Sequence, residues 1–256
     1  MKFDYIIIGA GSAGCVLSNR LSENQNNKVA VFEAGGSSDI WKVKMPLALL
    51  YTMHDPKYNW KYYSEPEPHL NNRRLFCPRG KMIGGCSAHN GMVFVRGNRN
   101  DYERWESFGL KSWSYDNILP YFKKIENWSG GENQYRGSFG LLPVNQSKNS
   151  NKLFKAFLNA SSEAGHKINP DMNGEMQEGF GMFDTTIHNG ERASVSKHYL
   201  NPAKKRKNLN IFSNSFVEKI IFEGKKAIGI EVKIKNKIEK IYLFNITSKN
   251  KRWKVL

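Results

Sequence analysis

The chain has 256 residues, of which 39% are hydrophobic, and this is enough to bury a sizeable core in one or two domains. Its 39 lysines and arginines outnumber its 23 aspartates and glutamates, which gives a formal net charge of +16. Because the basic residues are scattered, without zinc-finger spacing, an RNA-binding motif or a long basic helix, the sequence argues against nucleic-acid binding. No apolar run approaches the length of a membrane span, and no secretory signal precedes the first predicted strand.

Metal and nucleophile chemistry have little support. The three cysteines, Cys15, Cys77 and Cys86, lie far apart without a C-x-x-C pair, which predicts free thiols in a reducing compartment. The histidines show no metal-ligand spacing, and there is no G-x-S-x-G elbow for a nucleophilic serine. We therefore expect no metal site.

The first informative stretch predicts a strand, a glycine-rich turn and a helix. Tyr5–Ile8 is an uninterrupted apolar run, as expected of a buried parallel strand. Gly9, Gly11 and Gly14 follow as G-x-G-x-x-G, and a helix is predicted from about Ser12. In this motif the first glycine permits the tight turn, the second lets the backbone approach a pyrophosphate, and the third lets the helix pack on the strand.

A second predicted strand, 28–32, ends at Glu33. A carboxylate at this position can accept hydrogen bonds from both hydroxyls of a ribose. The small Ser12 and Ala13 leave room for phosphates at the helix N-terminus, where free N–H groups and the helix dipole favour anions. The pattern predicts a dinucleotide site, and the alternative is a βαβ unit whose glycine-rich turn binds nothing.

Residues 37–78 are rich in proline and aromatic residues and predict an extended excursion over the nucleotide domain. Residues 78–98, PRGKMIGGCSAHNGMVFVRGN, form the second informative stretch. Its Gly-Gly-Cys-Ser-Ala run is what a backbone needs in order to lie against a flat ligand. A buried segment is predicted at 92–95.

The middle of the chain predicts mostly helices. We expect a helix capped by Asp101 and running through Trp105, a helix at 115–125 with a proline in its early turns, and a helix at 152–164 with Gly165 as its C-cap. A glycine-rich loop is predicted at 129–140. Residues 166–191 are predicted to be loop-like, with residues 180–183 able to form a strand.

The last third predicts a helical segment followed by short strands. Residues 194–203 have a helical pattern that stops near Pro202. Four strands separated by turns are then predicted at 209–212, 217–222, 227–234 and 238–244. The clearest turn is Glu223-Gly224-Lys225.

The two glycine-rich stretches, in this order and spacing, resemble the N-terminal half of the glucose–methanol–choline (GMC) family of FAD-dependent oxidoreductases. The resemblance runs from residue 2 to about 244 and is nearest to the choline dehydrogenases and choline oxidases. It implies an α/β fold: a Rossmann-like FAD-binding domain with part of a second, α+β substrate domain, and with the C-terminal half missing. It implies FAD-binding segments at about 1–40, 75–110 and 205–245, substrate-domain or cover segments at about 41–74 and 111–204, and an aberrant tail at 245–256.

The resemblance also implies a set of cofactor-binding residues. Gly9, Gly11 and Gly14 would hold the FAD pyrophosphate, Glu33 the adenosine ribose and Val217 the adenine. Other positions would lie along the cofactor or around its isoalloxazine ring: Ser12, Ala13, Ala34, Met82, Gly84, Gly85, His89, Asn90, Gly91, Met92 and Val93.

His89 carries the sharpest expectation. The segment here is GGCSAHN, and choline oxidases resemble it with a histidine that is bonded covalently to the flavin. The resemblance therefore favours a covalent bond from His89 to FAD. The alternative is a histidine packed near the ring without a bond.

The end of the chain departs from the family. The resemblance implies that the general-base histidine lies in the missing C-terminal half, so no catalytic residue is assigned in this chain. It implies a small alcohol as substrate, oxygen or a quinone as electron acceptor, and a location in the cytoplasm or peripherally on the inner membrane. The alternatives are an inactive FAD-binding remnant, an NAD(P)-dependent dehydrogenase and a basic nucleic-acid-binding protein.

Overall fold

The computed structural model describes residues 1–147 and 150–244, and residues 254–255 as backbone. The predicted tail at 245–256 therefore lies, apart from that short backbone segment, outside the described residues. The chain divides into two compact units, residues 1–91 with 194–256 and residues 92–193. Residues 41–74 belong to the first unit and residues 92–110 to the second, and the roles predicted for these segments remain predictions.

The strands of the structure are short except in the last third of the chain. In chain order they are β1 (Lys2–Phe3), β2 (Tyr5–Ile8), β3 (Val29–Phe32), β4 (Tyr62–Tyr63), β5 (Phe76–Cys77), β6 (Val93–Phe94), β7 (Glu126–Trp128), β8 (Leu142–Val144), β9 (Asp184–Thr185), β10 (Ile187–His188), β11 (Glu191–Arg192), β12 (Leu209–Phe212), β13 (Ser215–Glu223), β14 (Lys226–Ile234), β15 (Lys237–Leu243) and β16 (Lys254–Val255).

The helices are α1 (Ser12–Leu21), α2 (Trp41–Lys44), α3 (Leu49–Met53), α4 (Arg99–Ser107), α5 (Tyr115–Ile125), α6 (Lys152–Glu163) and α7 (Asn201–Ala203). Short 3₁₀ turns lie at Pro46–Ala48, Pro68–Leu70, Gly85–Ala88 and Lys111–Trp113, and a π-helical turn at Ser196–Leu200. Among the described residues, no helix combines the length and the apolar character needed to cross a membrane.

The first unit is built on a parallel sheet whose described strands lie in the order β12-β3-β2-β16. A second sheet, in the order β1-β15-β14-β13, is antiparallel except where β1 runs parallel to β15. Apolar side chains of β1–β3 pack with those of β14 and β15 in one core: Phe3, Ile6, Ala30, Phe32, Ile230, Val232, Ile241 and Leu243. The α/β fold predicted for this part of the chain is confirmed.

The two strands and the helix predicted at the N-terminus are confirmed as β2, β3 and α1. Ile6 and Ile7 are fully buried, and so are Val29, Ala30 and Val31 of β3. Strands buried on both faces read as continuous apolar runs, which is why this pattern was informative. The four late strands also form where they were expected, with β13 longer at both ends than predicted.

The second unit combines α4, α5 and α6 with small strand pairs. β6 pairs with β9 and β10 with β11 in antiparallel fashion, whereas β7 and β8 are parallel. The helix α5 spans the predicted residues, and α6 begins at a side-chain cap from Asn151 and is followed by Gly165 at φ +85°. A left-handed glycine after a helix is a common C-terminal signal.

Three local predictions in the second unit are wrong. The segment 92–95 is not buried along its length, because Val93 is 51% exposed and Val95 is 44% exposed. Successive side chains of an extended segment point to opposite faces, so these two valines share the outer face.

The cap of α4 is Asn98, whose side chain accepts a hydrogen bond from the Asn100 N–H, so the helix begins two residues before Asp101. Residues 180–183 do not form a strand beyond a single bridge from Phe180 to Ile168. Gly179 at φ +132° precedes this segment, and a Cβ at Gly181 would lie 1.9 Å from the Asn169 carbonyl oxygen, so the backbone here follows a tight turn.

Candidate functional site

The three glycines of the first motif have three different physical roles. Gly9 lies at φ +89°, in the left-handed region that glycine tolerates best. A Cβ at Gly14 would lie 1.9 Å from the Gly9 carbonyl oxygen, so only glycine lets α1 pack this closely on the turn. A Cβ at Gly11 would meet nothing within 4 Å, so the space in front of Gly11 is open.

That open space lies at the N-terminus of α1. Gly11 is the N-cap, no side chain caps the helix, and its first turn holds no acidic residue. Ser12 and Ala13 are exposed. The first N–H groups of a helix have no intrahelical acceptor, and the helix dipole places partial positive charge there. The turn therefore fits a phosphate or another anion.

Glu33, just after β3, is held rigidly beside the turn. Its side chain is 6% exposed. One carboxylate oxygen accepts the Ala10 N–H at 2.9 Å, and the other accepts the Gly35 N–H at 2.8 Å. Each carboxylate oxygen can accept a further hydrogen bond. Glu33 can thus take part in binding hydroxyl groups while it fixes the turn.

Replacing Glu33 with glutamine should change how stability depends on pH. Burial raises the pKa of the Glu33 carboxyl above its ordinary value, although the Gly35 and Ala10 N–H groups and the Lys81 ammonium lower it. A raised folded-state pKa stabilises the fold fully below the unfolded pKa of about 4.5, and this contribution is lost as pH rises through the folded pKa. We therefore expect the unfolding free energy of Glu33→Gln, minus that of the wild type, to rise with pH from about 4.5 and then level off.

Urea titrations at a series of pH values would measure this difference. Glu103→Gln, on the exposed face of α4, is the control. The prediction would be contradicted if the difference in unfolding free energy between Glu33→Gln and the wild type did not change above pH about 4.5, or fell as pH rises.

The structure brings the second glycine-rich stretch onto the first. Met82 bridges Gly36, the Ile83 N–H donates to the Gly36 carbonyl at 3.0 Å, and the Gly84 N–H donates to the Ala10 carbonyl at 2.6 Å. A Cβ at Gly85 would lie 2.8 Å from the Gly11 Cα. The two motifs, separated by about 70 residues, therefore form one backbone surface within the first unit.

Val217 follows, two residues later in the chain, a segment whose backbone is hydrogen-bonded to the Glu33 segment. The Ser215 N–H donates to the Glu33 carbonyl at 2.8 Å, and the Asn214 N–H donates to the Gly35 carbonyl at 2.9 Å. β13 is an edge strand in the described sheet, so half of its backbone groups point away from β14. Val217 sits two residues beyond Ser215, where a β-bulge follows it.

The remaining predicted residues divide between the two units. Ala34 follows Glu33 and is half-buried. His89, 5% exposed, ends the turn at Gly85–Ala88, with Asn90 and Gly91 exposed after it. Met92 and Val93 belong to the second unit.

Met92 is notable for its backbone. It adopts φ +60°, which a non-glycine residue takes up at a cost of about 1–3 kcal/mol. Its carbonyl accepts the Thr186 N–H at 2.8 Å, and the neighbouring Val93 pairs with Thr185. Strain of this kind is often retained where a residue has a functional role.

Sequence reasoning missed a group of serines that supports the second motif. The Ser87 hydroxyl donates to the Gly84 carbonyl at 2.6 Å and accepts the Val195 N–H at 3.1 Å. The Ser196 hydroxyl lies 3.1 Å from that of Ser38 and 2.9 Å from that of Ser194. Serines are common in loops, so only their positions within the ERASVS and GGCSA segments could have suggested this role.

Cys15 does not add a nucleophile to the site. Burial raises the pKa of its thiol to about 12, and the thiol donates to the Ala10 carbonyl at 3.2 Å. It therefore stays protonated at neutral pH and acts as a small packing residue. Among the described residues, no group of three or more His, Cys, Asp or Glu is placed to hold a metal ion.

A cavity of about 520 Å³ lies elsewhere, within the second unit. Its lining combines basic Arg99 and Lys167 with acidic Glu175 and Glu178, and it includes none of the predicted cofactor residues. Because the lining carries both basic and acidic side chains, its charge favours neither an anionic nor a cationic ligand. The glycine-rich turn of the first unit is thus the better candidate site.

The fold and this turn define the first unit as a dinucleotide-binding α/β protein of the Rossmann type. A family model described as GMC oxidoreductase matches residues 3–250. The chain therefore belongs to the GMC oxidoreductase family.

Curated relatives agree with this assignment. The chain is 48% identical over 239 residues to an oxygen-dependent choline dehydrogenase of Sinorhizobium fredii, covering 93% of this chain and 43% of the relative. It is 45% identical over 245 residues to an oxygen-dependent choline dehydrogenase of Vibrio vulnificus, covering 95% of this chain and 44% of the relative. The chain thus spans less than half the length of these relatives.

Solved structures show the same pattern. Pyridoxine 4-oxidase from Mesorbium loti matches with a TM-score of 0.89 at 28% identity, covering 94% of this chain and 48% of that one. An FAD-dependent oxidoreductase from Chaetomium thermophilum matches with a TM-score of 0.84 at 27% identity, covering 95% of this chain and 44% of that one.

Proposed function

We propose that this chain is the FAD-binding part of an oxidoreductase that acts on CH–OH groups and converts choline or another primary alcohol to the aldehyde. The observation that carries the proposal is the open, uncapped N-terminus of α1 behind Gly9 and Gly11, with Glu33 fixed beside it. Membership of the GMC family and identities of 45% and 48% to choline dehydrogenases support FAD and an alcohol substrate.

The residues of the first unit fit the parts of FAD in order. The N–H groups that follow Gly11 would bind the pyrophosphate, because they are donors without an intrahelical acceptor. Glu33 would accept hydrogen bonds from the adenosine ribose, and the backbone of Val217 would meet the adenine. The surface formed by Met82, Gly84 and Gly85 would lie along the cofactor.

The flavin end of the proposal centres on the residues from His89 to Val93. Asn90, Gly91, Met92 and Val93 would surround the isoalloxazine ring, and His89 would bond covalently to the flavin. When bound, FAD supplies the acceptor for the hydride that leaves the alcohol carbon. The general base belongs, in this proposal, to the part of the relatives' length that this chain does not span, and such a base contributes about 10²–10⁴-fold.

The second candidate is an FAD-binding protein without turnover. It is the alternative that the sequence leaves open. The chain spans 43% and 44% of the lengths of the two choline dehydrogenases, so their activity is assigned to it only by measurement. In both candidates the chain binds FAD, and they differ only in whether alcohol reduces it. The acceptor in the active case is oxygen or a quinone. The three free thiols of the described chain fit a reducing cytoplasm.

Incubating the purified chain with FAD tests the proposal. We expect a stable yellow complex with one FAD per chain. Anaerobic addition of choline that bleaches the flavin absorbance supports the oxidoreductase, and an unchanged spectrum supports the second candidate. A chain that binds no FAD, or that binds NAD in its place, would refute both.

Mass spectrometry of the denatured complex tests the covalent bond. The FAD mass should stay on the peptide that contains His89 and should be absent from His89→Ala. His69→Ala is the matched control, since His69 is an exposed histidine of the same unit. Release of all flavin from the wild type on denaturation would exclude the bond while leaving FAD binding intact.

A further inference from the structure

A group of partly exposed aromatic rings lies in the first unit beside the Glu33 segment. The Trp60 ring stacks on Tyr62 with centroids 6.0 Å apart and meets Phe216 at 6.1 Å. Tyr62 is 52% exposed and Phe216 is 45% exposed. Apolar rings exposed together in this way often mark a binding surface.

Phe216 is tied to Glu33 through β13. Its neighbour Ser215 donates its N–H to the Glu33 carbonyl at 2.8 Å. Val217 packs against the buried core of the unit, and side chains along a strand alternate between faces. The Phe216 ring therefore points away from the core, next to the edge of β13.

Trp60 is tied to the same segment by a separate path. Its N–H donates to the Arg79 carbonyl at 2.9 Å, and the Lys81 N–H donates to the Tyr58 carbonyl at 2.8 Å. The Lys81 carbonyl in turn lies against Gly35, where a Cβ would be only 1.9 Å from it. Two independent sets of backbone contacts thus hold Trp60 and Phe216 in place relative to Glu33 and Gly35.

The charges around these rings argue against a cationic ligand. The Lys81 ammonium already lies 4.9 Å from the centroid of the Trp60 ring. A second cation there would meet like charge, whereas a neutral planar heterocycle would not. The base of a dinucleotide is such a group, and it is joined directly to the ribose assigned to Glu33.

We propose that Phe216 and Trp60 form the platform on which the adenine of the dinucleotide stacks. The inference rests on the proposed function and adds side-chain recognition of the base to it. Stacking of a base on an aromatic side chain is sequence-tolerant and depends on the π face of the ring, so an aliphatic side chain of similar bulk cannot replace it.

Titration of the cofactor-free chain with ADP, FAD and FMN tests the platform, because FMN carries the flavin without the adenosine. Phe216→Leu should weaken ADP and FAD by the same factor, about 5- to 150-fold, and leave FMN unchanged. Phe216→Tyr should keep wild-type affinities. Phe222→Leu is the matched control, since Phe222 lies on the same strand and is 59% exposed.

Tryptophan fluorescence gives a second measurement that does not depend on a folded Phe216→Leu variant. ADP should quench a component of the wild-type emission that is absent from Trp60→Phe. Three results would overturn the platform. The Phe216→Leu variant could bind ADP with wild-type affinity, or it could lose affinity for FMN and ADP by the same factor. Alternatively, ADP could quench the fluorescence of Trp60→Phe as much as that of the wild type. A wild-type chain that binds neither ADP nor FAD would overturn the proposed function as well.

Discussion

Replacing Glu126 with glutamine should lower the free energy of unfolding of the second unit by about 3–5 kcal/mol. Glu126 is fully buried at the start of β7. One of its carboxylate oxygens accepts hydrogen bonds from Arg96 at 2.6 Å, from the Gly137 N–H at 2.8 Å and from Arg136 at 3.1 Å. The other accepts from Arg136 at 3.2 Å.

The size of this effect follows from what the substitution leaves behind. Arg136 is fully buried and also contacts Asp171 at 2.6 Å and Asp184 at 2.8 Å. Burial lowers the pKa of Arg136, but its hydrogen bonds and charge interactions with Glu126, Asp184 and Asp171 raise it, and the net shift is upward. The guanidinium stays charged, so a glutamine amide would place N–H donors against it and leave part of its charge uncompensated.

Glu103→Gln is the control for this prediction. Glu103 pairs with Arg99 at 2.9 Å, and both side chains are 51% exposed, so its loss should cost at most about 0.5 kcal/mol. Urea unfolding and hydrogen exchange in the β7 peptide would measure both variants. Equal, small effects would show that the buried cluster contributes no more than a surface pair.

Sequence reasoning located elements whose signals are local. The turn after β2 was recognised because the glycines, the apolar run before them and the helix after them lie within a few residues of one another. The late strands β13 and β14 were recognised because a Glu-Gly-Lys turn separates two apolar segments. Such signals depend only on residues that are close in sequence, so they can be recognised without knowledge of the fold.

Interactions between distant residues were not predicted. Arg96 and Glu126 are 30 residues apart, and Arg136 and Asp171 are 35 apart, without any local pattern that links them. Buried charges become recognisable only when the fold removes them from water. The adjacency of the two glycine-rich motifs was expected only through a family resemblance, and the Gly84 N–H to Ala10 carbonyl bond that joins them was not.

Replacing Gly14 with alanine should destabilise the first unit and abolish measurable FAD binding. The new Cβ would lie 1.9 Å from the Gly9 carbonyl oxygen and 3.0 Å from its carbon, and backbone atoms cannot give way as a flexible side chain can. Overpacking of this kind costs about 1–3 kcal/mol, which outweighs the roughly 0.5–1 kcal/mol by which alanine favours a helix interior. The displaced helix would carry its N–H groups away from the phosphate position.

Gly11→Ala separates binding from folding at the same turn. Its Cβ would meet no protein atom within 4 Å, and its φ of −69° suits alanine. The weaker N-cap and the reduced freedom of the unfolded chain should offset each other to within about 1 kcal/mol. The Cβ would nevertheless occupy the space through which a pyrophosphate approaches. Loss of hydrogen bonds to a charged group should weaken FAD by about 10- to 150-fold.

Urea unfolding and FAD titration of both variants distinguish the two roles. Gly14→Ala should lose stability and binding together, whereas Gly11→Ala should lose binding alone. A Gly11→Ala variant that binds FAD as tightly as the wild type would show that the open space before α1 does not hold the cofactor. A fully stable Gly14→Ala variant would mean that the helix can shift away from Gly9 at little cost, and the glycine at that position would then reflect the cofactor rather than the packing.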